Sequence, residues 1–278
     1  MNRPSVLITG ITGNQGGSVA KELLKMDFKI VGLTRNKKSK KAKKLIKQGI
    51  ELIEADLRDP ATLQELNGKA DFAFLMTDFW AGKESEILFG KNLINAIKGT
   101  CKHFIFSSTP SSFEKGLFSF SDSKYEIEQM VKKSGMRYSI VRPGLFMELF
   151  KKLEFMPPVV LGMMLKNIDG DKKLPFVSVE DIGIMVSLII QDSDKYHNSD
   201  FNLVTENISL NEYKSLFKTI KGRKPFHMTI PNSMFKKFVS KDLFDLWSWL
   251  NSAKLGYKSP EFLSAHKNAK KFESWLAY

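Results

Sequence analysis

The stretch SVLITGITGNQGGSVA, residues 5–20, decides the fold of this chain. It opens with the apolar run Ser5–Thr9, which is typical of strands buried on both faces of a sheet. Glycines follow at three places where a dinucleotide-binding turn needs them. Gly10 lets the chain turn off the strand, Gly13 lets the backbone approach a diphosphate, and Gly16 lets the next helix pack against the strand. The stretch therefore predicts such a turn between a buried strand and a helix.

The start of that helix would suit an anion, because helix N-termini present N–H groups and the positive end of the dipole. A glycine triplet alone is weak evidence, and a tight turn without a ligand is the alternative. Here the triplet lies within the first strand–helix–strand unit, which favours a bound nucleotide.

The end of the second predicted strand, Phe28–Thr34, indicates which nucleotide binds. NAD sites usually carry an acidic residue there to hold the ribose hydroxyls, but this chain continues with Arg35, Asn36 and Lys37. A guanidinium can pair with a 2′-phosphate and stack on adenine. A solvated basic loop is the alternative. Together with the glycine turn, these residues predict NADP(H) as the cofactor.

The first half of the chain alternates between short apolar runs and segments of helical spacing. Strands are predicted at 51–55, 71–76, 103–107 and 138–141, and helices at 15–26, 37–48, from 59 onward, 84–98 and 124–133. This alternation predicts an α/β fold, a Rossmann-type doubly wound parallel sheet. The rhythm breaks after Pro143. We predict a cofactor-binding domain over 1–145 and a smaller α+β lobe over 146–278 that closes the nicotinamide side, and leave interleaving of segments open.

Composition excludes several classes of protein. The 278 residues include one cysteine, Cys101, so no intramolecular disulfide can form. No apolar run approaches the roughly 20 residues of a membrane span, and no secretory signal is evident, so we expect no membrane partner and a cytoplasmic protein, with nuclear access left open. The net charge is +13, but no metal-ligand spacing or basic heptad helix accompanies it, and we expect no specific nucleic-acid binding.

The sequence resembles the NmrA-like family of atypical short-chain dehydrogenases, especially its NADPH-sensing members in animals. The resemblance covers nearly the whole chain. It rests on the opening stretch and on the segments 34–36, 54–57, 76–80, 104–108, 123–128, 142–148, 177–183 and 272–276.

The resemblance implies a cofactor site, position by position. The diphosphate would lie against Gly10, Thr12, Gly13, Asn14, Gln15 and Gly16. The 2′-phosphate side would be held by Arg35, Asn36 and Lys37, and the adenine flanked by Asp56 and Leu57. On the nicotinamide side the resemblance implies Thr77, Phe79, Lys124, Leu145 and Phe146. Leu149 stands where the family often has asparagine, which weakens the case for a polar contact there.

The residues that would make the chain an enzyme are incomplete. Typical short-chain dehydrogenases use Tyr-x-x-x-Lys, in which the tyrosine gives a proton to the carbonyl. Lys124 is present, but Phe120 stands four residues before it and has no proton to give. Ser107 and Ser108 are possible substitutes, although serines ending a buried strand are more often structural. We therefore assign no catalytic residue.

Two interpretations follow. In the first, the chain is a regulatory, redox-sensing protein that responds to NADP(H), with a regulatory protein partner and a homodimer left open. In the second, it is an NADPH-dependent reductase of quinone-like or other small acceptors, with solvent supplying protons. The missing tyrosine favours the first, and the retained Lys124 leaves the second open.

Overall fold

A computed structural model describes residues 3–151 and 156–278, and of Phe79 only the backbone. Within these ranges the strands are β1 Ser5–Ile8, β2 Lys29–Thr34, β3 Glu51–Glu54, β4 Phe72–Leu75, β5 His103–Ser107, β6 Tyr138–Pro143, β7 Leu145–Phe146, β8 Leu174–Val177, β9 Ser199–Leu203 and β10 Glu206–Ile208. The helices there are α1 Asn14–Leu23, α2 Lys40–Lys47, α3 Lys83–Ile97, α4 Ser119–Lys133, α5 Pro158–Asn167, α6 Val179–Gln191, α7 Leu210–Lys221, α8 Asn232–Phe238, α9 Lys241–Ser252, α10 Pro260–Ala265 and α11 Phe272–Ala277.

The chain divides into two compact units whose segments interleave. The first comprises Met1–Arg142 and Val179–Phe201, and the second comprises Pro143–Ser178 and Asn202–Tyr278. The prediction placed the boundary after residue 145 and left interleaving open, and here the segments interleave. The reason is α6, which packs against α1 so closely that a Cβ at Gly183 would lie 2.5 Å from the Ser18 hydroxyl. The chain therefore leaves the first unit and returns to it for α6 and the first part of β9.

The first unit is built on a sheet of seven strands among the described residues, in the order β3-β2-β1-β4-β5-β6-β9. Neighbouring pairs from β3 through β6 are parallel. This confirms the predicted Rossmann-type α/β fold. The strand order reverses direction at β1, between β2 and β4. Ligands of such sheets bind at this switch point, beyond the carboxyl ends of the strands.

Apolar burial explains why these segments form the sheet. Val6, Leu7 and Ile8 are fully buried, as expected for a central strand with helices on both faces.

Two predicted elements differ in detail. The element after Asp59 is a 3-10 helix, Pro60–Leu66, and α4 begins at Ser119, five residues before the predicted start.

The second unit has its own small sheet and apolar core. Strand β8 pairs in parallel with β7 and antiparallel with β10. Its core includes Phe176, Tyr213, Phe235 and Phe272, all fully or almost fully buried. A capping box starts α7, where Ser209 and Glu212 hydrogen-bond each other's backbone N–H.

Within the described ranges, no helix has the length and apolarity needed to cross a membrane. The same part of the chain has no group of three or more His, Cys, Asp or Glu side chains placed to hold a metal ion.

His103 is a buried, neutral histidine at the start of β5. Its Nε2 lies 2.8 Å from the Ser139 hydroxyl, which donates to the Tyr196 carbonyl oxygen at 2.7 Å. Its Nδ1 is buried and has no hydrogen-bond partner among the residues that the structure describes. Burial, reinforced by the charge of Arg137, lowers the pKa of His103 from 6.5 to about 4.

We expect His103 to make folding sensitive to acid. Because the folded state disfavours protonation, its neutral form supports stability fully above pH 6.5, and that support is lost as the pH falls towards 4. The loss would reach about 3 kcal/mol. The free energy of unfolding of His103→Gln should fall much less than that of the wild type between pH 6.5 and 4.5. His227→Gln, which alters an exposed histidine, is the matched control and should follow the wild type. Parallel pH profiles for all three proteins would contradict the assignment.

Candidate functional site

The glycine turn lies at the end of β1, at the switch point of the sheet. Gly10 has a φ of +59°, a conformation that favours glycine. A Cβ at Gly16 would lie 2.5 Å from the Gly10 carbonyl oxygen, so α1 can approach the strand only with glycine there. Gly13 is exposed, while Gly16 is buried. The turn thus has one glycine open to a ligand and one that packs the helix.

The first turn of α1 suits an anion. Gly13 is its N-cap and makes no side-chain capping bond, and no acidic residue lies in the first turn. Such a helix start favours phosphate through its N–H groups and dipole. The turn is a cradle that a side chain at Gly13 would begin to fill, and it fits a dinucleotide diphosphate.

Hydrogen bonds fix this turn to the neighbouring strands. The Thr9 hydroxyl donates to the Met76 carbonyl oxygen at 2.8 Å and accepts from the Met76 N–H at 2.9 Å, joining the ends of β1 and β4. The Ser107 hydroxyl, at the end of β5, donates to the Gln15 side-chain oxygen at 2.6 Å. Ser107 therefore has a structural partner, and Gln15 is tied to β5 through its side chain.

The loop after β2 carries the predicted 2′-phosphate residues, all exposed. Within the described part of the chain, Arg35 makes no ion pair, so its guanidinium remains available to a ligand. The Asn36 side-chain oxygen accepts from the Lys38 N–H at 2.8 Å, and the Lys37 N–H donates to Glu54 at 2.8 Å. Glu54 thus places one carboxylate beside the basic loop, which the sequence analysis did not consider.

The two residues predicted to flank the adenine, Asp56 and Leu57, both have contacts within the protein. Asp56 pairs with Arg58 at 2.6 Å, and the hydrogen bond from that guanidinium holds the pKa of Asp56 below its usual value. Leu57 packs against the core of the first unit, and its carbonyl oxygen accepts from the Asn92 amide at 2.8 Å. Asp56 is therefore already paired with a cation, and Leu57 supplies the apolar surface here.

A buried polar cluster lies at the predicted nicotinamide side of the first unit. The Lys124 ammonium donates to the Thr77 hydroxyl at 2.6 Å and pairs with Glu86 at 2.9 Å. Thr77 in turn donates to Glu86 at 2.7 Å, and the Ser123 hydroxyl donates to the other oxygen of Glu86. The Glu86 side chain is fully buried and that of Lys124 is 10% exposed.

This cluster neutralises Lys124. An ammonium has three N–H donors, and here they face Thr77, Glu86 and, at 3.5 Å, the Ser107 carbonyl oxygen. Burial raises the pKa of Glu86, but the Lys124 charge and three hydrogen bonds outweigh it, and the net pKa lies below the ordinary value. The Glu86 carboxyl is therefore ionised at neutral pH. The long contact to Ser107 is the one that a ribose hydroxyl could most easily replace.

Phe120 lies one helical turn before Lys124 in α4, half-buried. Its ring packs edge-on against Phe118, with centroids 4.6 Å apart. The position that bears the proton-donating tyrosine in typical short-chain dehydrogenases thus belongs to an aromatic cluster. Tyr125 is a helix neighbour of Lys124 and half-buried.

The segment after β5 is held by a second ion-pair cluster. The hydroxyls of Ser108 and Ser112 lie 2.9 Å apart, and Ser112 also donates to Glu128. Glu128 forms a two-point pair with Arg142 at 2.9 and 2.7 Å. Ser108 therefore belongs to a network that fixes the loop, which is a structural role.

The other three predicted residues of the nicotinamide side are Phe79, Leu145 and Phe146. Leu145 and Phe146 form β7 of the second unit. The Phe79 side chain lies outside the described residues.

Sequence reasoning missed Glu86, although a signal was available. Glu86 shares one face of α3 with Gly90, Leu93 and Ile97, and these are all buried. Leu88, an apolar residue of the same helix, is by contrast 40% exposed. A carboxylate at a core position of a helix requires a buried partner.

Comparisons with known proteins agree with this architecture. The sequence model of the NmrA-like family matches residues 2–276. An NmrA-like family domain-containing oxidoreductase of the fungus Cladobotryum sp is 27% identical over 248 residues, covering 79% of this chain and 74% of that protein.

Two solved structures share the fold. One is NmrA, a negative transcriptional regulator, in complex with NAD (TM-score 0.80, 18% identity, 100% of this chain and 95% of that chain). NmrA has also been solved with NADP. The other is the NADPH-dependent quinone oxidoreductase QOR2 of Escherichia coli with NADPH (TM-score 0.78, 21% identity, 98% of each chain).

Proposed function

The chain belongs to the NmrA-like family, and we propose that it is an NADP(H)-binding regulatory protein rather than a carbonyl reductase. The observation that carries the cofactor proposal is the glycine turn, with exposed Gly13 as the N-cap of α1 and buried Gly16 packing that helix against the end of β1. We infer that the diphosphate binds there, against Thr12, Asn14 and Gln15.

We further propose that the phosphorylated cofactor is preferred. The unpaired, exposed guanidinium of Arg35 supports this, with Asn36 and Lys37 beside it. Glu54 partly offsets the positive charge of this loop. The preference then depends mainly on Arg35, whose planar donors match a phosphate.

Arg35→Ala should remove most of the preference for NADPH over NADH. A charge-assisted contact contributes about 1.5–3 kcal/mol, or about ten- to a hundredfold in affinity. Calorimetric titration with both cofactors measures this, and Lys43→Ala on the neighbouring helix α2 is a charge-matched control that should keep the preference. Equal affinities in the wild type would overturn the NADP(H) assignment.

The regulatory proposal rests on Phe120 and on the state of Lys124. A phenylalanine cannot give a proton to a carbonyl, and Glu86 already neutralises the ammonium that would lower the pKa of a neighbouring acid. When bound, NADPH would supply a hydride. Among the described side chains of the cluster, the Lys124 ammonium and the Thr77 and Ser123 hydroxyls are all engaged with Glu86, which leaves no proton donor free for a carbonyl.

The test is turnover of simple aldehydes and ketones with NADPH. We expect rates near background for the wild type, and also for Phe120→Tyr because Lys124 remains paired with Glu86. A rate in the ordinary enzyme range, about 1–10³ per second, would overturn the proposal.

A second function, reduction of quinone-like acceptors, is supported by the names of the relatives. The Cladobotryum protein is called an oxidoreductase, and QOR2 is a quinone oxidoreductase. Such acceptors can take protons from solvent, so they do not need the missing tyrosine. Rapid NADPH oxidation by quinones, with none by carbonyls, would favour this function over the regulatory one.

If neither class of acceptor is reduced, cofactor-dependent partner binding remains. We propose a protein partner whose affinity depends on NADPH, as in the NADPH-sensing animal members of the family, and a cytoplasmic location with access to the nucleus. Pull-downs with and without NADPH test this. The relative reported above is fungal, so a particular likeness to animal sensors stays a prediction.

A further inference from the structure

The second unit carries a basic segment that the cofactor proposal does not use. Residues 223–241 include five basic side chains and no acidic one. Arg223, Lys224, Lys236, Lys237 and Lys241 are all exposed. We call this segment, together with the adjoining cleft between α5, α7 and residues 224–229, the basic apolar surface.

Large apolar side chains are concentrated in the same segment. Among the described residues, twelve large apolar side chains are markedly exposed, and five of them lie between residues 226 and 239. They are Phe226 (66%), Met228 (55%), Met234 (47%), Phe238 (70%) and Val239 (43%). Single exposed apolar residues are normal, but a concentration of them marks an interaction surface.

A cleft of about 460 Å³ adjoins this segment, between α5, α7 and the strap 224–229. Its walls combine apolar groups such as Leu165 and Pro225 with four lysines and a histidine, Lys166, Lys214, Lys218, Lys224 and His227. None of the four lysines forms an ion pair with a described carboxylate. Lys214 and Lys218 are also one turn apart on α7, where like charges repel. An anion in the cleft would relieve that repulsion.

The surface is held in place by the second unit's own core. The Met228 N–H donates to the Pro158 carbonyl oxygen at 2.9 Å. A Cβ at Gly162 would lie only 1.9 Å from the Met228 carbonyl oxygen, so the strap lies directly on α5. Phe235 anchors α8 from the buried side, with its ring 5.2 Å from that of Trp247. The exposed side chains are thus presented by a fixed scaffold.

We propose that the basic apolar surface binds the face of a membrane rich in anionic phospholipid. Lysines would contact the headgroups, the cleft would take a headgroup phosphate, and Phe226 and Phe238 would enter the boundary of the acyl chains. Protein interfaces are enriched in Tyr, Trp and Arg and depleted in Lys, whereas this surface combines Lys with Phe and Met. Nucleic acid would leave the exposed Met and Val side chains without a partner.

Peripheral binding of this kind needs no membrane span. From the sequence we expected no membrane partner, because no apolar run is long enough to cross a bilayer. The exposed apolar side chains are instead distributed over the strap 224–229 and the short helix α8. A search for long apolar runs does not find them, because polar residues lie between them. The inference does not rest on the cofactor proposal, because it uses residues of the second unit alone.

The test is co-sedimentation of the full chain with vesicles of phosphatidylcholine alone or with 30% phosphatidylserine, a fraction of roughly physiological order. We expect binding only to the anionic vesicles, and weaker binding at high salt. Each lysine near such a surface contributes about a fivefold change. The triple variant Lys214→Gln, Lys218→Gln, Lys224→Gln should therefore bind at least tenfold more weakly, as should Phe226→Ser with Phe238→Ser.

The matched control is Lys43→Gln, Lys44→Gln, Lys47→Gln in α2, which removes the same charge from a helix whose only markedly exposed large apolar side chain is Ile46. It should bind vesicles within about threefold of the wild type. Thermal unfolding confirms that each variant is folded. The proposal is overturned if anionic vesicles do not bind, or if the α2 control loses as much affinity. It is also overturned if the chain binds soluble polyglutamate, the lysine variant loses this binding and the phenylalanine variant keeps it. That result would indicate an acidic protein partner.

Discussion

Replacing Glu86 by alanine is expected to lower the free energy of unfolding by about 3–5 kcal/mol. The substitution leaves the Lys124 ammonium buried beside Thr77, with its counter-ion gone. Removing one partner of a buried ion pair is costly because the remaining charge stays desolvated. Denaturant unfolding measures the loss, and hydrogen exchange in α3 and α4 should report it locally.

Two further variants make this expectation specific. Lys83→Met breaks the pair between Lys83 and Asp122, which joins the same two helices but is part-exposed (37% and 14%). Such pairs contribute less than about 1 kcal/mol. The double variant Glu86→Leu, Lys124→Met removes both buried charges, and should recover more than half of the loss. If Glu86→Ala costs no more than Lys83→Met, the buried pair does not stabilise the unit.

The sign of the pH dependence follows from the same pair. The pKa of Glu86 in the folded protein lies below its ordinary value of 4.5. Its contribution is therefore present above pH 4.5 and is lost as the pH falls through the lowered pKa. His103 acts at higher pH, between 6.5 and 4, so the two effects can be separated by titration.

The fold of the first unit could be predicted because its signals are local. Strand β1 is three buried apolar residues followed by a glycine turn, and β5 is buried throughout. Runs of this length bounded by glycine or polar residues are typical of strands buried in a parallel sheet. The start of α4 was missed because Ser119 and Phe120 break the helical pattern; the rings of Phe118 and Phe120 pack against each other at this start.

The division of the chain and the buried cluster could not be predicted in the same way. The return of α6 to the first unit depends on Gly183 fitting against Ser18, a contact between residues 165 positions apart. The Glu86–Lys124 pair joins α3 to α4, and their close approach depends on Gly90, where a Cβ would lie 2.8 Å from Ile127. Periodicity identifies a helix face but not the partner that it meets.

The predicted cofactor residues could likewise be named from the sequence, but not the residues that they contact in the fold. The glycine spacing between an apolar strand and a helix predicted the turn, since Gly10 and Gly16 each meet a local steric demand. The sequence also predicted Arg35 as a contact of the 2′-phosphate, but it did not indicate Glu54, whose carboxylate accepts from the Lys37 N–H. Thr77 and Lys124 were named from the family resemblance, and their mutual hydrogen bond became evident only with the fold.

Gly13→Val is expected to weaken NADPH binding by more than a hundredfold while leaving the protein folded. Gly13 has φ −95°, which any residue adopts, and an added Cβ would lie 3.2 Å from the Gly10 carbonyl oxygen. The fold therefore needs only a small adjustment. The branched side chain would occupy the exposed space that we assign to the diphosphate, and a ligand cannot approach the backbone through it.

The neighbouring glycines provide the contrast that makes this result interpretable. A Cβ at Gly16 would lie 2.5 Å from the Gly10 carbonyl oxygen and 2.6 Å from that of Thr9, so Gly16→Ala should lower stability as well as binding. At Gly17 the nearest atom is the Ile11 carbonyl oxygen at 3.3 Å, as crowded as Gly13 but outside the proposed diphosphate contacts. Gly17→Ala should therefore bind NADPH within about threefold of the wild type, as expected for a substitution away from the ligand. Calorimetry and thermal unfolding on the three variants separate packing from ligand contact. A folded Gly13→Val protein that binds NADPH as the wild type does would show that the diphosphate lies elsewhere.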